Sequence, residues 1–189
     1  MKTIELTGLI LIFALFASLS KAQTNMLTYA GNEGSEAFYD VAQLSNGNIL
    51  VLGAASDLDW IAPEAPRVEL SAGDIQNNVG TQKIAFILLL DSTAQQLLSV
   101  YHLPKGAAEN FRFIKFSNMQ AQSTEGIYIS GDTEDSATGG YFIGKLNHNF
   151  IDGVPTGFDF IITVKAKTGS YPKIYHPWDV GNDGKVVYA

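Results

Sequence analysis

Short apolar runs, each bounded by glycine, asparagine or aspartate, are the feature of this sequence that most constrains its fold. The clearest runs lie at residues 49–52, 85–90 and 186–188. A sheet with one face in water alternates apolar and polar residues along each strand, whereas unbroken apolar runs of this length indicate strands covered on both faces. The chain is therefore predicted to form β-sheets that are stacked between neighbouring layers.

The strand pattern repeats along the chain. The segment at 38–57 passes through a short turn into an apolar strand that contains glycine, and the segment at 111–135 follows the same order with a longer turn. A third copy of this opening begins at residue 178. Apolar strands at 85–91 and 141–147 occupy matching places in the first two copies, and each precedes one more strand-like run. Each repeat is therefore predicted to be one unit of four antiparallel strands.

Two dipeptides mark the turns between the first and second strands of a unit. They are Asn46-Gly47 in the first unit and Asp183-Gly184 in the third. Both dipeptides favour type I′ turns, in which the two central residues adopt positive φ. The sequence thus predicts a tight β-hairpin at each place.

Four-stranded antiparallel units covered on both faces are typical of the blades of a β-propeller. We therefore predict an all-β fold, an incomplete β-propeller of stacked four-stranded antiparallel blades, with a single β-sandwich as the alternative. Since propellers close with about four to eight blades, the chain alone is expected to leave apolar blade faces uncovered and to aggregate. The predicted division is a signal peptide at 1–22, a lead-in at 23–35, blade 1 at 36–107 with a long loop at 57–83, blade 2 at 108–174, and the start of blade 3 at 175–189, where the chain is truncated.

The blade openings also resemble a known family. Tyr-Asp-Val at 39–41 and Trp-Asp-Val at 178–180 are each followed by an Asn-Gly or Asp-Gly turn and an apolar strand. This pattern, which covers residues 38–189, is similar to the blades of secreted bacterial β-propeller repeat proteins (SBBP-like). The resemblance implies a binding or scaffold role and supplies no catalytic residues.

The N-terminus has the features of a secretory signal peptide. Lys2 precedes an apolar run at 9–17, and Ser20 and Ala22 supply the small residues of a cleavage site before Gln23. The run has roughly half of the ~20 apolar residues that a transmembrane helix needs. We therefore expect a secreted, periplasmic or cell-surface bacterial protein that has no transmembrane anchor after cleavage.

Composition and motifs argue against several functions. The chain has no cysteine, which excludes disulfides and thiolate metal sites, and its net charge of −7 makes nucleic acid a poor partner. None of the three histidines, at positions 102, 148 and 176, has metal-ligand spacing. Lys-Thr-Gly at 167–169 and Ser-x-x-Lys at 170–173 are motifs of penicillin-recognising enzymes, but they occur in the reverse order. The sequence assigns no catalytic residue, and the balance is against an enzyme.

One acidic loop is a candidate cation site. Asp132, Glu134 and Asp135 follow the second strand of the second unit. Clustered carboxylates suit Ca²⁺, which prefers six to eight oxygen ligands. Acidic loops also serve solubility, so calcium is the one cofactor that we consider and no other is predicted.

Trp60 is the candidate contact residue for a ligand. It lies in the long loop at 57–83, and a tryptophan on a loop can stack against a sugar or a partner protein. The alternative is that the ring closes the loop over the blade.

Two classes of function remain open. The first is a secreted, non-catalytic binding or scaffold module that presents its loops to a protein or glycan ligand at the cell surface and stacks on the remaining blades of the same polypeptide. The alternative is the N-terminal part of a carbohydrate-active or other hydrolytic propeller enzyme whose active site lies in blades that this sequence lacks.

Overall fold

The protein is all-β over the residues that the computed structural model describes. These are residues 35–61, 63–73, 75, 82–117, 126–133, 140–165, 178–181 and 185–188, and they contain no helix. The strands are β1 (Ala37–Gln43), β2 (Ile49–Ala55), β3 (Arg67–Glu69), β4 (Ile84–Leu90), β5 (Leu97–His102), β6 (Phe113–Phe116), β7 (Ile127–Asp132), β8 (Gly140–Leu146), β9 (Phe158–Lys165), β10 (Trp178–Val180) and β11 (Val186–Tyr188). The prediction of an all-β fold is confirmed.

The strands form three sheets. Sheet 1 has the order β1-β2-β4-β5-β3, sheet 2 has the order β6-β7-β8-β9, and β10 and β11 form the C-terminal hairpin. Neighbouring strands are antiparallel except for β3, which runs parallel to β5. None of the three sheets closes on itself, and antiparallel sheets of this kind fit a β-sandwich as well as the blades of a propeller.

The turn between β1 and β2 differs from the predicted type I′ turn. Gly47 has a φ of +89°, but Asn46 is not among the residues with positive φ. The amide of Gly47 donates to the carbonyl of Leu44, and the amide of Leu44 donates to the carbonyl of Asn48. One glycine in the left-handed region therefore closes a three-residue hairpin loop, a common alternative to the two-residue turn. The second predicted turn, at 183–184, lies outside the described residues.

Sheets 1 and 2 each place a glycine opposite a phenylalanine, on β2 and β4 in sheet 1 and on β7 and β8 in sheet 2. Gly53 pairs with Phe86 in sheet 1, and Gly131 pairs with Phe142 in sheet 2. A Cβ atom on Gly131 would come within 2.7 Å of the ring of Phe142, and a Cβ atom on Gly53 would overlap the ring of Phe86. The phenylalanine rings therefore lie over the glycines, a form of cross-strand packing that a larger residue would prevent.

Three apolar clusters divide the molecule into layers. The inter-sheet core joins one face of sheet 1 to one face of sheet 2 and includes Leu50, Leu52, Ile87, Ile129 and Phe142. The outer cluster covers the opposite face of sheet 1, and the hairpin cluster joins the opposite face of sheet 2 to the C-terminal hairpin. Both central sheets are thus covered on both faces, as the unbroken apolar runs indicate.

A loop, rather than another sheet, covers the outer face of sheet 1. Leu58, Trp60, Ile61 and Ala65 pack there against residues that include Phe86. The expectation that apolar faces stay uncovered is therefore wrong for most of this face.

The first strands of the three sheets lie side by side. β6 contacts both β1 and β10. The carboxylate of Asp40 on β1 accepts hydrogen bonds from the amide of Val41 and, through Oδ2 at 2.9 Å, from the amide of Ile114 on β6. A single side chain therefore connects the edges of two sheets.

Several predictions concern residues that lie outside those described. They are the signal peptide at 1–22, the lead-in apart from residue 35, the carboxylates of Glu134 and Asp135, the motifs at 167–173, His176 and the end of the chain at 189. The blade boundaries predicted from the sequence likewise stay predictions.

Candidate functional site

An aromatic cluster on the outer face of sheet 1 is the strongest candidate contact site. The ring centroid of Trp60 lies 6.2 Å from that of Phe38 and 5.7 Å from that of Phe86, and all three rings meet edge to face. Phe86 is fully buried, whereas Phe38 is 43% exposed and Trp60 is partly exposed. The cluster thus has a buried base and an accessible upper surface, which we call the aromatic platform (Phe38, Trp60 and Phe86).

Backbone hydrogen bonds hold the loop that carries Trp60. The indole Nε1 donates to the carbonyl of Asp57 at 3.1 Å. The guanidinium of Arg67 donates to the carbonyls of Leu58 and Ile61 at 3.1 and 3.0 Å. These bonds order the loop before any ligand arrives, and such preorganisation lowers the entropic cost of binding.

Both predicted roles of Trp60 are compatible with this geometry. The ring packs on sheet 1, as the packing alternative requires, and part of it stays accessible. Asp57 and the exposed Asp59 lie in the same loop, where the amide of Asp59 donates to Asp57 Oδ1. Aromatic faces beside carboxylate acceptors can contact the apolar face of a sugar and its hydroxyl groups. The role of Trp60 as a ligand contact stays a prediction.

The sequence did not identify Phe38 or Arg67 as parts of this site. Phe38 lies on an edge strand and belongs to an ordinary half-buried pattern, and Arg67 is an isolated cation in a long loop. Only the paired strands bring Phe38 beside Trp60, so no local signal marks either residue.

Asp132, one of the predicted calcium ligands, lies at the end of β7 in a hydrogen-bonded cluster. Its Oδ2 atom accepts from the guanidinium of Arg112 at 2.7 Å and from Nδ2 of Asn110 at 2.9 Å, while its amide donates to Asn110 Oδ1. A carboxylate oxygen neutralised by a guanidinium has less charge to offer a cation. Because Glu134 and Asp135 are not described, the calcium site stays a prediction.

Arg112 connects this cluster to sheet 1. Its guanidinium carbon lies 5.5 Å from the ring centroid of Tyr39, within the range of a cation–π interaction. Its Nε is buried without a hydrogen-bond partner in the described residues, next to a cavity of about 10 Å³. That volume holds one water molecule and no larger ligand.

A second ion pair lies at the same junction between the sheets. Lys83, just before β4, lies 2.8 Å from Glu109, which precedes β6. The hydrogen bond that Lys83 donates to Glu109 raises the pKa of Lys83 above its usual value of 10.5 despite partial burial. This contribution to stability is complete below pH 10.5 and is lost as the pH rises through the raised pKa.

The described histidines do not form a catalytic arrangement. His102 Nδ1 lies 3.0 Å from the carbonyl of Leu103, and His148 Nδ1 lies 3.3 Å from Asp152 Oδ1 at an exposed turn. Among the described residues, no three histidine, aspartate or glutamate side chains converge as a metal site. None of the described segments is a helix long and apolar enough to span a membrane.

Comparison with known proteins adds no relative. No protein-family model matches this chain, and no curated protein or solved structure matches it either.

Proposed function

We propose that this protein is a secreted, non-catalytic binding or scaffold module built of β-propeller repeats. In this proposal sheet 1, sheet 2 and the C-terminal hairpin are successive blades, and further blades belong to the same polypeptide. The ligand is a glycan or a protein at the cell surface, and it contacts the aromatic platform.

Three equivalent hairpins support the repeat. At the start of each first turn, an amide donates across the turn: Leu44 to Asn48, Ser117 to Gly126, and Gly181 to Lys185. Beyond the hairpin, sheets 1 and 2 share an arrangement of four antiparallel strands, β1-β2-β4-β5 and β6-β7-β8-β9. Sheet 1 departs from the predicted four-stranded unit, because β3 adds a fifth strand in parallel at its edge. The row of first strands, with β6 between β1 and β10, supports the proposed propeller because blades meet along their inner strands.

The observation that carries the binding role is the state of the aromatic platform. Phe38 is exposed beside a tryptophan whose indole N–H is already bonded within the loop. The exposed surface therefore offers apolar area without an unpaired donor, and an ordered aromatic residue binds at low entropic cost. Asp59, which precedes Trp60 in the chain, is an exposed hydrogen-bond acceptor in the same loop.

A glycan array tests this role directly. The purified protein is compared with Trp60→Ala and Phe38→Ala, and Phe160→Ala is the matched control because Phe160 is an exposed aromatic residue on β9, away from the platform. We expect both platform variants to lose about tenfold or more in apparent affinity for any glycan retained by the wild type. The control should bind as the wild type does.

Retention that is equal in all four proteins would contradict the platform as the contact site. A parallel array of cell-surface proteins tests the protein ligand with the same variants. Release of shortened sugars from a retained glycan, followed by mass spectrometry, would support the hydrolytic alternative instead. Circular dichroism of each variant establishes that loss of binding is not loss of fold.

A further inference from the structure

The C-terminal hairpin exposes a valine at a position whose equivalents in sheets 1 and 2 are buried. Val187 on β11 pairs with Asp179 on β10 and is 64% exposed. The backbone hydrogen bond that closes the first turn of each unit defines equivalent positions in the three hairpins. By this alignment, the pair corresponds to Ala42 and Leu50 in sheet 1 and to Lys115 and Tyr128 in sheet 2. Leu50 is 0% exposed and Tyr128 is 3% exposed.

The two buried equivalents are covered by the next layer along the chain. Leu50 belongs to the inter-sheet core, in which sheet 2 covers sheet 1. Tyr128 belongs to the hairpin cluster, in which the C-terminal hairpin covers sheet 2. Opposite residues of an antiparallel pair share a face, so Asp179 and Val187 lie on the face that corresponds to these two covered faces.

Polar side chains also connect neighbouring first strands, with the aspartate on the earlier strand in one pair and on the later strand in the other. Asp40 on β1 accepts the amide of Ile114 on β6, and Lys115 on β6 lies 3.9 Å from Asp179 on β10. Asp179 Oδ1 accepts the amide of Val180, as Asp40 accepts the amide of Val41. Oδ2 of Asp179 has no hydrogen bond among the described residues, and the side chain is 80% exposed.

We propose that the face of the C-terminal hairpin bearing Asp179 and Val187 docks a further four-stranded antiparallel sheet of the same polypeptide. This partner resembles sheet 2: it brings an apolar face over Val187 and, on its first strand, a free hydrogen-bond donor for the exposed carboxylate of Asp179. The inference rests on the proposed repeat architecture and names the next layer in it.

A second copy of the chain is a poor occupant of this face. The face of sheet 1 that a head-to-tail copy would present is covered by the loop that carries Leu58, Trp60 and Ile61. The amide of Ile114, which would be the donor on sheet 2, is already bound to Asp40 within the same molecule. The partner therefore requires a sheet with an open face and a free donor.

An extended chain tests the proposal. In this extended chain, residues 1–187 are followed directly by a second copy of residues 51–165. The junction is placed here because Val187 is equivalent to Leu50, so the copied Val51 follows Val187 as the original Val51 follows Leu50. The copied sheet 2 then becomes the new layer. Since the protein has no cysteine, Val187→Cys gives a single thiol in both the extended and the 189-residue chain. Val41→Cys is the matched control, because Val41 is also 64% exposed but lies on β1.

The measurement is the rate at which a small maleimide labels each thiol in dilute protein. We expect the rate at position 187 to fall about tenfold or more in the extended chain, since access controls thiol reactivity, and the rate at position 41 to stay the same. An unchanged rate at position 187 would overturn the proposal. So would a copied sheet that gains no protected amides in hydrogen exchange, because the face would then have failed to accept such a sheet.

The second-copy alternative and the proposed function have separate outcomes. Protection of position 187 in the 189-residue chain that grows with protein concentration would assign the face to self-association and overturn the proposal. Protection of position 187 in the extended chain, together with arrays that find no glycan or protein ligand, would support the docking face and contradict the binding function. Ligand binding that depends on Trp60, without protection at position 187, would support the binding function and contradict the docking face.

Discussion

At the scale of single residues, the carboxylate of Asp40 links the first strands of sheets 1 and 2. One oxygen accepts the amide of the next residue, Val41, and the other accepts the amide of Ile114, 74 positions further along the chain. Such a carboxylate satisfies two edge-strand donors at once, and a hydrogen bond to a charged group is stronger than one between neutral groups.

Asp40→Asn separates these two roles. The amide side chain still has one acceptor oxygen for Val41 or Ile114, but its NH₂ group cannot accept the second amide. We expect a loss of about 1–2 kcal/mol in the free energy of unfolding, measured by urea denaturation. Asp179→Asn is the control, because Asp179 makes the same local bond to Val180 without the second one among the described residues. Equal losses in the two variants would contradict the bridging role of Asp40.

At the scale of secondary-structure elements, the turns show the local strain in this chain. Ala94, in the turn between β4 and β5, has a φ of +56°, and Phe150, in the loop between β8 and β9, has a φ of +66°. Both lie in the left-handed region, which is unfavourable for residues other than glycine. The two positions differ in packing, because the ring of Phe150 meets that of Tyr101 edge to face at 4.9 Å.

Ala94→Gly is expected to stabilise the protein by about 0.5 kcal/mol, since relief of the left-handed strain exceeds the entropy that glycine loses on folding. Phe150→Gly relieves the same strain but removes the contact with Tyr101, and it should destabilise the protein. Thermal unfolding of both variants measures the difference. A destabilised Ala94→Gly variant would show that strain at this turn is compensated by another contact.

Most elements could be predicted from the sequence because they are apolar runs between turn residues. The strand β3 could not, since Arg67–Glu69 has one apolar residue and pairs in parallel with β5, whose residues lie 33 positions further along the chain. The turn at Asn46-Gly47 was placed correctly but given the wrong type. Its dipeptide favours positive φ at both residues, whereas the five residues between Gln43 and Ile49 need it only at Gly47.

The candidate site was predictable only in part, for a physical reason at the same scale. Trp60 is recognisable as a tryptophan in a long loop, whereas Phe38 joins it through strand pairing and Arg67 joins it through two backbone carbonyls. Asp132 is predicted as an acidic ligand, but no pattern in the sequence indicates that Arg112 and Asn110 contact it. Contacts between distant segments have no local pattern that would identify them.

At the scale of the whole molecule, the layers differ in how much apolar packing stabilises each of them. The inter-sheet core joins two sheets of four or more strands and contains fully buried Phe111 and Phe142. The C-terminal hairpin has two short strands, and it packs through the smaller hairpin cluster on one face while Val187 stays exposed on the other. An isolated two-stranded hairpin is marginally stable in water, so this layer depends on its neighbours.

The two tryptophans report these layers separately. Trp60 packs on the outer face of sheet 1, and Trp178, which is 5% exposed, lies between the hairpin and sheet 2. In the single-tryptophan variants Trp178→Phe and Trp60→Phe, we expect the fluorescence of Trp178 to change at a lower urea concentration than that of Trp60. The hairpin then detaches before the two sheets unfold, as sub-global opening of the least supported element predicts. Coincident transitions would mean that the three layers unfold as one cooperative unit. That result would favour the β-sandwich over a stack of blades that still needs its next layer.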